Sequence, residues 1–158
     1  MTKLTGKTAL VTGAARSIGA AIESFTRRPF GQPATLQACA TITAVLKTLS
    51  VRSCGYCGLM LPVLEDPVLA KRAQERRYGI QELLLYSTVC GTGLDVVPIP
   101  GNAGVDATAR VIADVATLAV RLRKPLSARL FPVPGKVAGD MVHFDDPRLT
   151  ECRVFEVD

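Results

Sequence analysis

Residues 86–101, YSTVCGTGLDVVPIPG, constrain the fold of this chain more than any other stretch. Helix-compatible residues end at Cys90, two glycines follow within a few positions, and a short apolar run then closes on two prolines. Because glycine adopts backbone angles that side chains forbid, the pattern predicts a helix, a tight loop and then a strand. The loop is expected to present Cys90 and Asp95 at the mouth of that strand.

Cys90 and Asp95 are the catalytic pair that the sequence predicts, if the chain is catalytic. Cys90 follows a helix and precedes a glycine turn, so its sulfur is expected to be exposed and able to act as a nucleophile. The alternative is a small residue packed where the helix meets the strand, which is where unreactive cysteines are commonly found. The residues alone leave both readings open.

The same α/β alternation continues along the chain. Apolar spacing and capping residues predict helices at residues 17–25, 33–49, 80–89 and 105–122, and a further helix that begins at Asp66-Pro67. Short apolar or alternating runs predict strands at residues 8–12, 51–61, 127–133, 141–144 and 152–157. The sequence therefore predicts the α/β class with a β-rich C-terminal tail.

Two long helices carry apolar stripes that are expected to face the core. Side chains three and four residues apart lie on one helix face, so each stripe predicts one buried surface. In the first helix the stripe consists of Leu36, Cys39, Ala40, Ile42, Val45, Leu46 and Leu49. In the second it consists of Val111, Ile112, Val115, Leu118, Ala119 and Leu122.

Composition and charge narrow the classes of protein that fit this sequence. With 158 residues, of which 48% are hydrophobic and 21% charged, the chain can bury a sizeable core, and disorder is disfavoured. The net charge of +5 comes from scattered basic pairs and aromatics are only 5%, which disfavours a nucleic-acid partner. No apolar run approaches the roughly 20 residues of a membrane span, and the start lacks a secretion signal. We therefore expect a cytoplasmic protein without a membrane segment.

Five cysteines without a secretion signal indicate free thiols in a reducing compartment. Cys54 and Cys57 form a CxxC pair, but the pair lies in a predicted strand-to-loop segment rather than at a helix start, which disfavours redox activity. A zinc site would need two more ligands, and Cys90 and His143 stand in no standard zinc spacing. No metal is expected.

The run TGAARSIG at residues 12–19 resembles the cofactor loop of the short-chain dehydrogenase/reductase family. In that family the motif TGxxxGIG brings backbone amides and a helix N-terminus to the pyrophosphate of NAD(P). The resemblance implies a Rossmann-like strand-turn-helix over residues 1–27 and, as an alternative function, an NAD(P)-dependent oxidoreductase. Its implied cofactor-binding residues are Gly13, Arg16, Ser17, Ile18 and Gly19.

The sequence departs from the dehydrogenase pattern in two ways. Ser17 stands where that family has its middle glycine. None of the three tyrosines has a lysine four residues on, so the family's Tyr-x-x-x-Lys pair, in which the lysine lowers the pKa of the tyrosine for proton transfer, has no counterpart. A strand-turn-helix with a purely structural role is therefore favoured, and no cofactor is expected.

Residues 28–158 resemble a different family as a block. The segments FGQPATLQACATITAVLKTL, GYCGLMLPVLED, ELLLYSTVCGTGLDVVPIPG and FPVPGKVAGDMVHFD are similar, in order, to the C-terminal part of domain-of-unknown-function family 711. The resemblance implies a fold similar to the ten-stranded α/β barrel of the glycyl-radical enzymes, of which this chain would carry about the last third. It implies no activity, because the family has no established reaction.

Together these patterns predict two pieces joined at residues 27–32, where RRPFGQ is rich in helix breakers. Residues 1–27 would form the strand-turn-helix, and residues 28–158 a partial barrel-like α/β segment. We expect an uncharacterised protein of family 711 type, truncated or fused, without independent catalytic activity. A third alternative is a non-catalytic assembly subunit, because a partial barrel exposes sheet edges that favour a homo-oligomer.

Overall fold

A computed structural model describes residues 17–50 and 58–157 of the chain. In order, the elements are α1 (Ile18–Thr26), α2 (Thr35–Thr48), α3 (Pro67–Gln74), α4 (Ile80–Ser87), β1 (Gly93–Pro100), α5 (Val105–Leu122), β2 (Ser127–Val133), β3 (Met141–Val142) and β4 (Cys152–Arg153). The predicted α/β class is confirmed. None of the helices in the two described ranges combines the length and apolarity that a membrane crossing needs.

Several sequence predictions lie outside the described residues. These are the strand at residues 8–12, the CxxC pair Cys54 and Cys57, and the first implied cofactor-binding residues, Gly13 and Arg16. The predicted helix start at Asp66, by contrast, is confirmed. One carboxylate oxygen of Asp66 accepts hydrogen bonds from two backbone amides in the first turn of α3, at 2.9 and 3.0 Å.

The centre of the fold is the unit β1–α5–β2. β1 and β2 are parallel, with Gly93 opposite Ser127 and Pro100 opposite Val133. Parallel neighbours need a crossover connection, which α5 supplies. All eight residues of β1 are buried, as is typical of a parallel strand covered on both faces. This burial accounts for the nearly continuous apolar run that the sequence shows here.

β1 also has a neighbour besides β2. The Gly91 amide donates to the Leu59 carbonyl at 2.8 Å, and the Val63 amide donates to the Asp95 carbonyl at 3.1 Å. Pro62 forms an isolated parallel bridge with Asp95. The segment that leads into α3 therefore runs beside β1, which gives β1 a neighbour on each side, whereas β2 pairs with β1 alone among the described residues.

The turn between α1 and α2 both redirects the chain and fills the core. Phe30 is fully buried there and packs edge-on against Tyr78 and Tyr86, with ring centroids 5.0 and 5.3 Å apart. α1 packs against α2 and α3, and its Ile22 belongs to the same core. The division of the chain at residue 27 stays a prediction, but the described part of α1 is packed into the body of the fold.

The predicted apolar stripes are wider than the buried helix faces. α2 buries Thr35, Ala38, Cys39 and Thr43, whereas Val45 is 56% exposed. α5 buries Val111 and Val115, and leaves Ile112 and Leu122 exposed. Two predicted core faces were thus partly wrong. Spacing identifies the apolar side of a helix, whereas the neighbouring elements decide how much of that side is covered.

Candidate functional site around Asp95

Cys90 lies between α4 and β1, as predicted, but inside the protein. The residue is 2% exposed, and its sulfur accepts a long hydrogen bond from the Gly93 amide at 3.5 Å. Lys124, from the end of α5, covers the loop by donating its ammonium to the carbonyls of Thr88 at 3.0 Å and Cys90 at 2.8 Å. The expectation of an exposed thiol was therefore wrong, and a catalytic role for Cys90 stays a prediction.

A second cysteine of the same core, Cys39, lies near Cys90. Burial raises the pKa of the nearby Cys39 thiol to about 12, with a smaller contribution from Cys90 itself. The thiolate is the nucleophilic form of cysteine, and an apolar surrounding disfavours it. Cys39 is therefore a small buried residue of the core.

Asp95 is the third residue of β1 and is 1% exposed. The expectation that it lies in the loop before this strand was therefore wrong. Its Oδ1 lies 2.7 Å from Nη1 of Arg129, which projects from the adjacent strand β2. The other terminal nitrogen of Arg129 is 3.8 Å from Oε1 of Glu65, just ahead of α3. The three charged groups thus come from three separate elements.

The contact between Asp95 and Arg129 is close but poorly aligned. Neither carboxylate oxygen of Asp95 has a hydrogen-bond partner of acceptable geometry among the described residues. Burial raises the pKa of this carboxyl. The positive charge and the close guanidinium donor of Arg129 oppose that rise without reversing it, and the Glu65 charge adds to it. Asp95 therefore holds its proton more readily than an ordinary aspartate does.

The backbone of β1 is distorted next to Asp95. The strand register with β2 shifts between Leu94 and Val97, and Val96 has a φ of 48°. A left-handed conformation costs a β-branched residue roughly 1–3 kcal/mol, and β-bulges of this kind re-aim side chains next to active sites. Strain, a bulge and a buried carboxyl without hydrogen bonds thus coincide at one place.

Sequence reasoning identified Asp95 but missed Arg129, Glu65 and the bulge. One signal for Arg129 was present, because it is the only charged residue in the predicted strand SARLFPV. The bulge had no such signal, since the two valines that follow Asp95 are good strand formers. Glu65 and Arg129 are more than sixty residues apart in sequence and meet only through the packing of their elements around β1.

The residues proposed to bind NAD(P) have other roles where the structure describes them. Ser17 caps α1 by accepting from the Ala20 amide at 3.0 Å. The Gly19 amide donates to Oδ2 of Asp66 at 2.9 Å. A side chain at Gly19 would lie only 2.9 Å from Cβ of Val68, so this glycine allows close packing of α1 against α3. The Gly19 amide is therefore already paired with a carboxylate of the chain itself, and binding of NAD(P) at this loop stays a prediction.

Metal binding gains no support from the described residues. Within residues 17–50 and 58–157, no three His, Cys, Asp or Glu side chains are grouped closely enough to hold an ion. His143 is exposed.

Comparison with known proteins identifies relatives for most of the chain. The profile of the family described as "Uncharacterised ACR (DUF711)" matches residues 11–146, which include most of the stretch that resembles a dehydrogenase. A UPF0210 protein of Pyrobaculum arsenaticum is 40% identical over 128 residues, which cover 78% of this chain and 29% of that protein. A UPF0210 protein of Desulforudis audaxviator is 33% identical over 132 residues, covering 81% and 29% respectively. The chain thus spans less than a third of the length of these relatives.

Proposed function

The chain belongs to the uncharacterised DUF711 family, and we propose that its surface around Asp95 forms one wall of a catalytic site for a small anionic molecule. In this site the Asp95 carboxyl transfers a proton, and the Arg129 guanidinium holds the anionic group of the substrate. The remainder of the site comes from parts that the longer relatives carry outside the matched stretch. By itself the chain has no independent catalytic activity.

One observation carries this proposal. Asp95 is buried beside an arginine and yet neither of its oxygens has an aligned hydrogen bond among the described residues. A buried carboxylate that serves stability alone accepts several hydrogen bonds, because leaving it without them costs the full desolvation penalty. Carboxyls whose pKa is raised by burial are characteristic of general acids. The unfavourable environment of Asp95 is therefore best explained by use in proton transfer.

Arg129 suits the binding of an anion. Its side chain is 54% exposed, and its separation from Glu65 is too long for a hydrogen bond, so several N–H groups face solvent. Guanidinium donors of this kind bind carboxylate or phosphate groups in a bidentate manner. Arg129 and Phe131 are two residues apart in β2 and therefore lie on the same face of the strand. The bound molecule would meet a charged group and an aromatic ring side by side.

The arrangement of the helices supports a barrel for the complete protein. α4 lies against β1, α5 lies against β2, and the two helices contact each other, which places them on one side of the strands. Ala128 and Leu130 pack into the core, whereas Arg129 between them points to the other side. In a barrel with its helices outside, the face that carries Asp95 and Arg129 would line the interior, where the proposed site lies.

The protonation of Asp95 tests this function directly. We expect carboxyl NMR of the isotopically labelled full chain, with Asp95→Asn to assign the resonance, to show a pKa above the ordinary value of about 3.9. Acetate bound to Arg129 should raise the pKa further, because it neutralises the guanidinium charge. Titration at or below the ordinary value, unchanged by acetate, would mean an ordinary ion pair and would refute the proposal.

An assembly role is a second candidate, favoured by the outer surface of α5. Val105 and Val120 are exposed there, and β2 has no strand neighbour but β1 among the described residues. Such surfaces are covered in larger assemblies or by further parts of a barrel. Light scattering on the purified chain should then report a homo-oligomer, whereas a stable monomer at high concentration would exclude self-assembly.

A further inference from the structure

A cavity of about 330 Å³ lies at the start of α4, away from Asp95 and Arg129. Its walls are the first turn of α4, Val111 of α5, Arg153 at the end of β4, and residues 155–157 beyond it. A volume of this order accommodates a small metabolite. The walls combine charged and apolar groups, which indicates the chemistry of the molecule that fits.

Arg153 is the charged group buried in this cavity. The residue is 9% exposed, and its Nη2 donates to Oε1 of Glu156 at 3.0 Å. Its Nε is buried and has no hydrogen-bond partner among the described residues. A buried guanidinium N–H without an acceptor is costly, so Arg153 is short of one acceptor atom among the described residues.

Glu156 shows which kind of acceptor suits Arg153. Its carboxylate already occupies one side of the guanidinium, while the Glu156 side chain is itself 66% exposed. An exposed side chain can rotate into solvent at little cost. The Glu156 carboxylate therefore takes the position on the Arg153 guanidinium that the carboxylate of a ligand could take in its place.

The first turn of α4 adds backbone donors to the same cavity. The Gly79 amide is already bonded to the Glu82 carboxylate at 2.7 Å. The amides of Ile80 and Gln81 have no acceptor among the described residues, as is usual at the start of a helix. Such amides, together with the helix dipole, favour a negatively charged group.

The remaining walls restrict the anion to a single charge and an apolar body. Glu82 and Glu156 place two negative charges at the cavity, which repel a dianion such as phosphate. Val111, Phe155 and Val157 are buried apolar side chains that an inorganic ion would leave without contacts. We propose that this cavity binds a small aliphatic monocarboxylate, with its carboxylate on Arg153 and the α4 amides and its alkyl group against those three side chains.

Isovalerate is a suitable probe for the full chain, measured by chemical-shift titration. We expect saturable binding with a Kd of about 1 mM, a typical affinity for so small a ligand. Glu156→Gln should tighten binding about 3–10-fold, because it removes the internal competitor and its charge. Glu151→Gln, which removes a charge from an exposed side chain outside the cavity, should leave the affinity unchanged.

Two further measurements, one with other ligands and one with a variant of Arg153, test whether the cavity recognises the carboxylate group. Isovaleramide, which keeps the alkyl body without the charge, and inorganic phosphate should each bind at least about tenfold more weakly than isovalerate. Arg153→Lys should weaken isovalerate binding by a similar factor, because a lysine lacks the second, fixed N–H. If Arg153→Lys does not fold, the Glu156→Gln comparison still decides.

Three results would overturn the monocarboxylate site. One is the lack of saturable isovalerate binding by both the natural chain and Glu156→Gln. Another is phosphate or isovaleramide binding as tightly as isovalerate. The third is equal tightening by Glu156→Gln and Glu151→Gln, which would show a general charge effect. None of these results bears on the protonation of Asp95, so this inference and the proposed function fail separately.

Discussion

Glu23 pairs with Arg72 between α1 and α3, and Asp95 pairs with Arg129 between β1 and β2. Both pairs join two elements through a carboxylate and a guanidinium at short distance. Hydrogen bonds from Arg72, helped by the Phe30 amide, hold the pKa of Glu23 below its usual value. Burial moves the pKa of Asp95 in the other direction, although an arginine is equally near.

Deeper burial of Asp95 and the number of aligned donors together explain the difference. Glu23 accepts from Nε and Nη2 of Arg72 at 2.6 and 2.9 Å, and from the Phe30 amide at 2.8 Å. Asp95 has no aligned donor among the described residues. Proximity to a positive charge does not compensate for lost hydration unless hydrogen bonds replace the water. The Glu23 pair therefore fastens α1 to the body. The Asp95 pair leaves its buried carboxyl without aligned hydrogen bonds among the described residues.

Removing the charge of Glu23 should have the largest effect. Glu23→Gln is expected to lower the free energy of unfolding at pH 7 by about 1–3 kcal/mol, since charge-assisted hydrogen bonds are lost. The folded-state pKa of Glu23 is lowered, so its stabilisation is present above the ordinary value of about 4.3 and is lost as pH falls through the folded-state value. Urea denaturation should therefore show the deficit narrowing in acid.

Glu151→Gln is the matched control for that experiment. Glu151 is exposed, and its side chain takes part in no ion pair among the described residues. The control should change stability by less than about 0.5 kcal/mol at either pH. Equal losses in the two variants would mean that Glu23 is an ordinary surface charge.

Removing the charge of Asp95 should act in the opposite direction. Asp95→Asn is expected to raise the free energy of unfolding by about 1 kcal/mol at pH 7, because an ionised carboxylate no longer has to be buried. The folded-state pKa of Asp95 is raised, so ionisation destabilises the fold increasingly as pH rises from the ordinary value of about 3.9 through the folded-state value. The gain in the free energy of unfolding should therefore vanish in acid. If Asp95→Asn instead lowers stability at pH 7, the Asp95 pair stabilises the fold as the Glu23 pair does, and the prediction is wrong.

Replacing Arg129 should have the smallest effect on stability. The side chain is 54% exposed, so Arg129→Met is expected to cost less than about 1 kcal/mol. The same change should raise the pKa of Asp95 further, because the positive charge that opposes burial is gone. Carboxyl NMR measures the second effect and urea denaturation the first. A large loss of stability with an unchanged Asp95 pKa would mean that Arg129 fastens the strands.

The parts of the fold that the sequence predicted correctly are those that depend on neighbouring residues. The Asp66-Pro67 start, the helix at residues 105–122 and the glycine loop before β1 depend on neighbouring residues only, and each is where the sequence placed it. The resemblance of residues 28–158 to family 711 likewise pointed to the family that the comparisons show. The burial of Cys90 was not predictable in this way, because the residue that covers its loop, Lys124, comes from the far end of α5.

The sequence by itself determined which segments become helices and strands, since caps, glycines and apolar spacing act within a few residues. It also singled out Asp95, although it placed this residue in the loop at the mouth of the strand rather than within β1. Only the tertiary structure decided which groups surround Asp95 and in which direction its pKa shifts. The charged residues around it, Arg129 and Glu65, come from other parts of the chain, and β1 is bulged beside it. Desolvation and hydrogen-bond alignment depend on everything packed around a group, and no local pattern in the sequence records that surrounding.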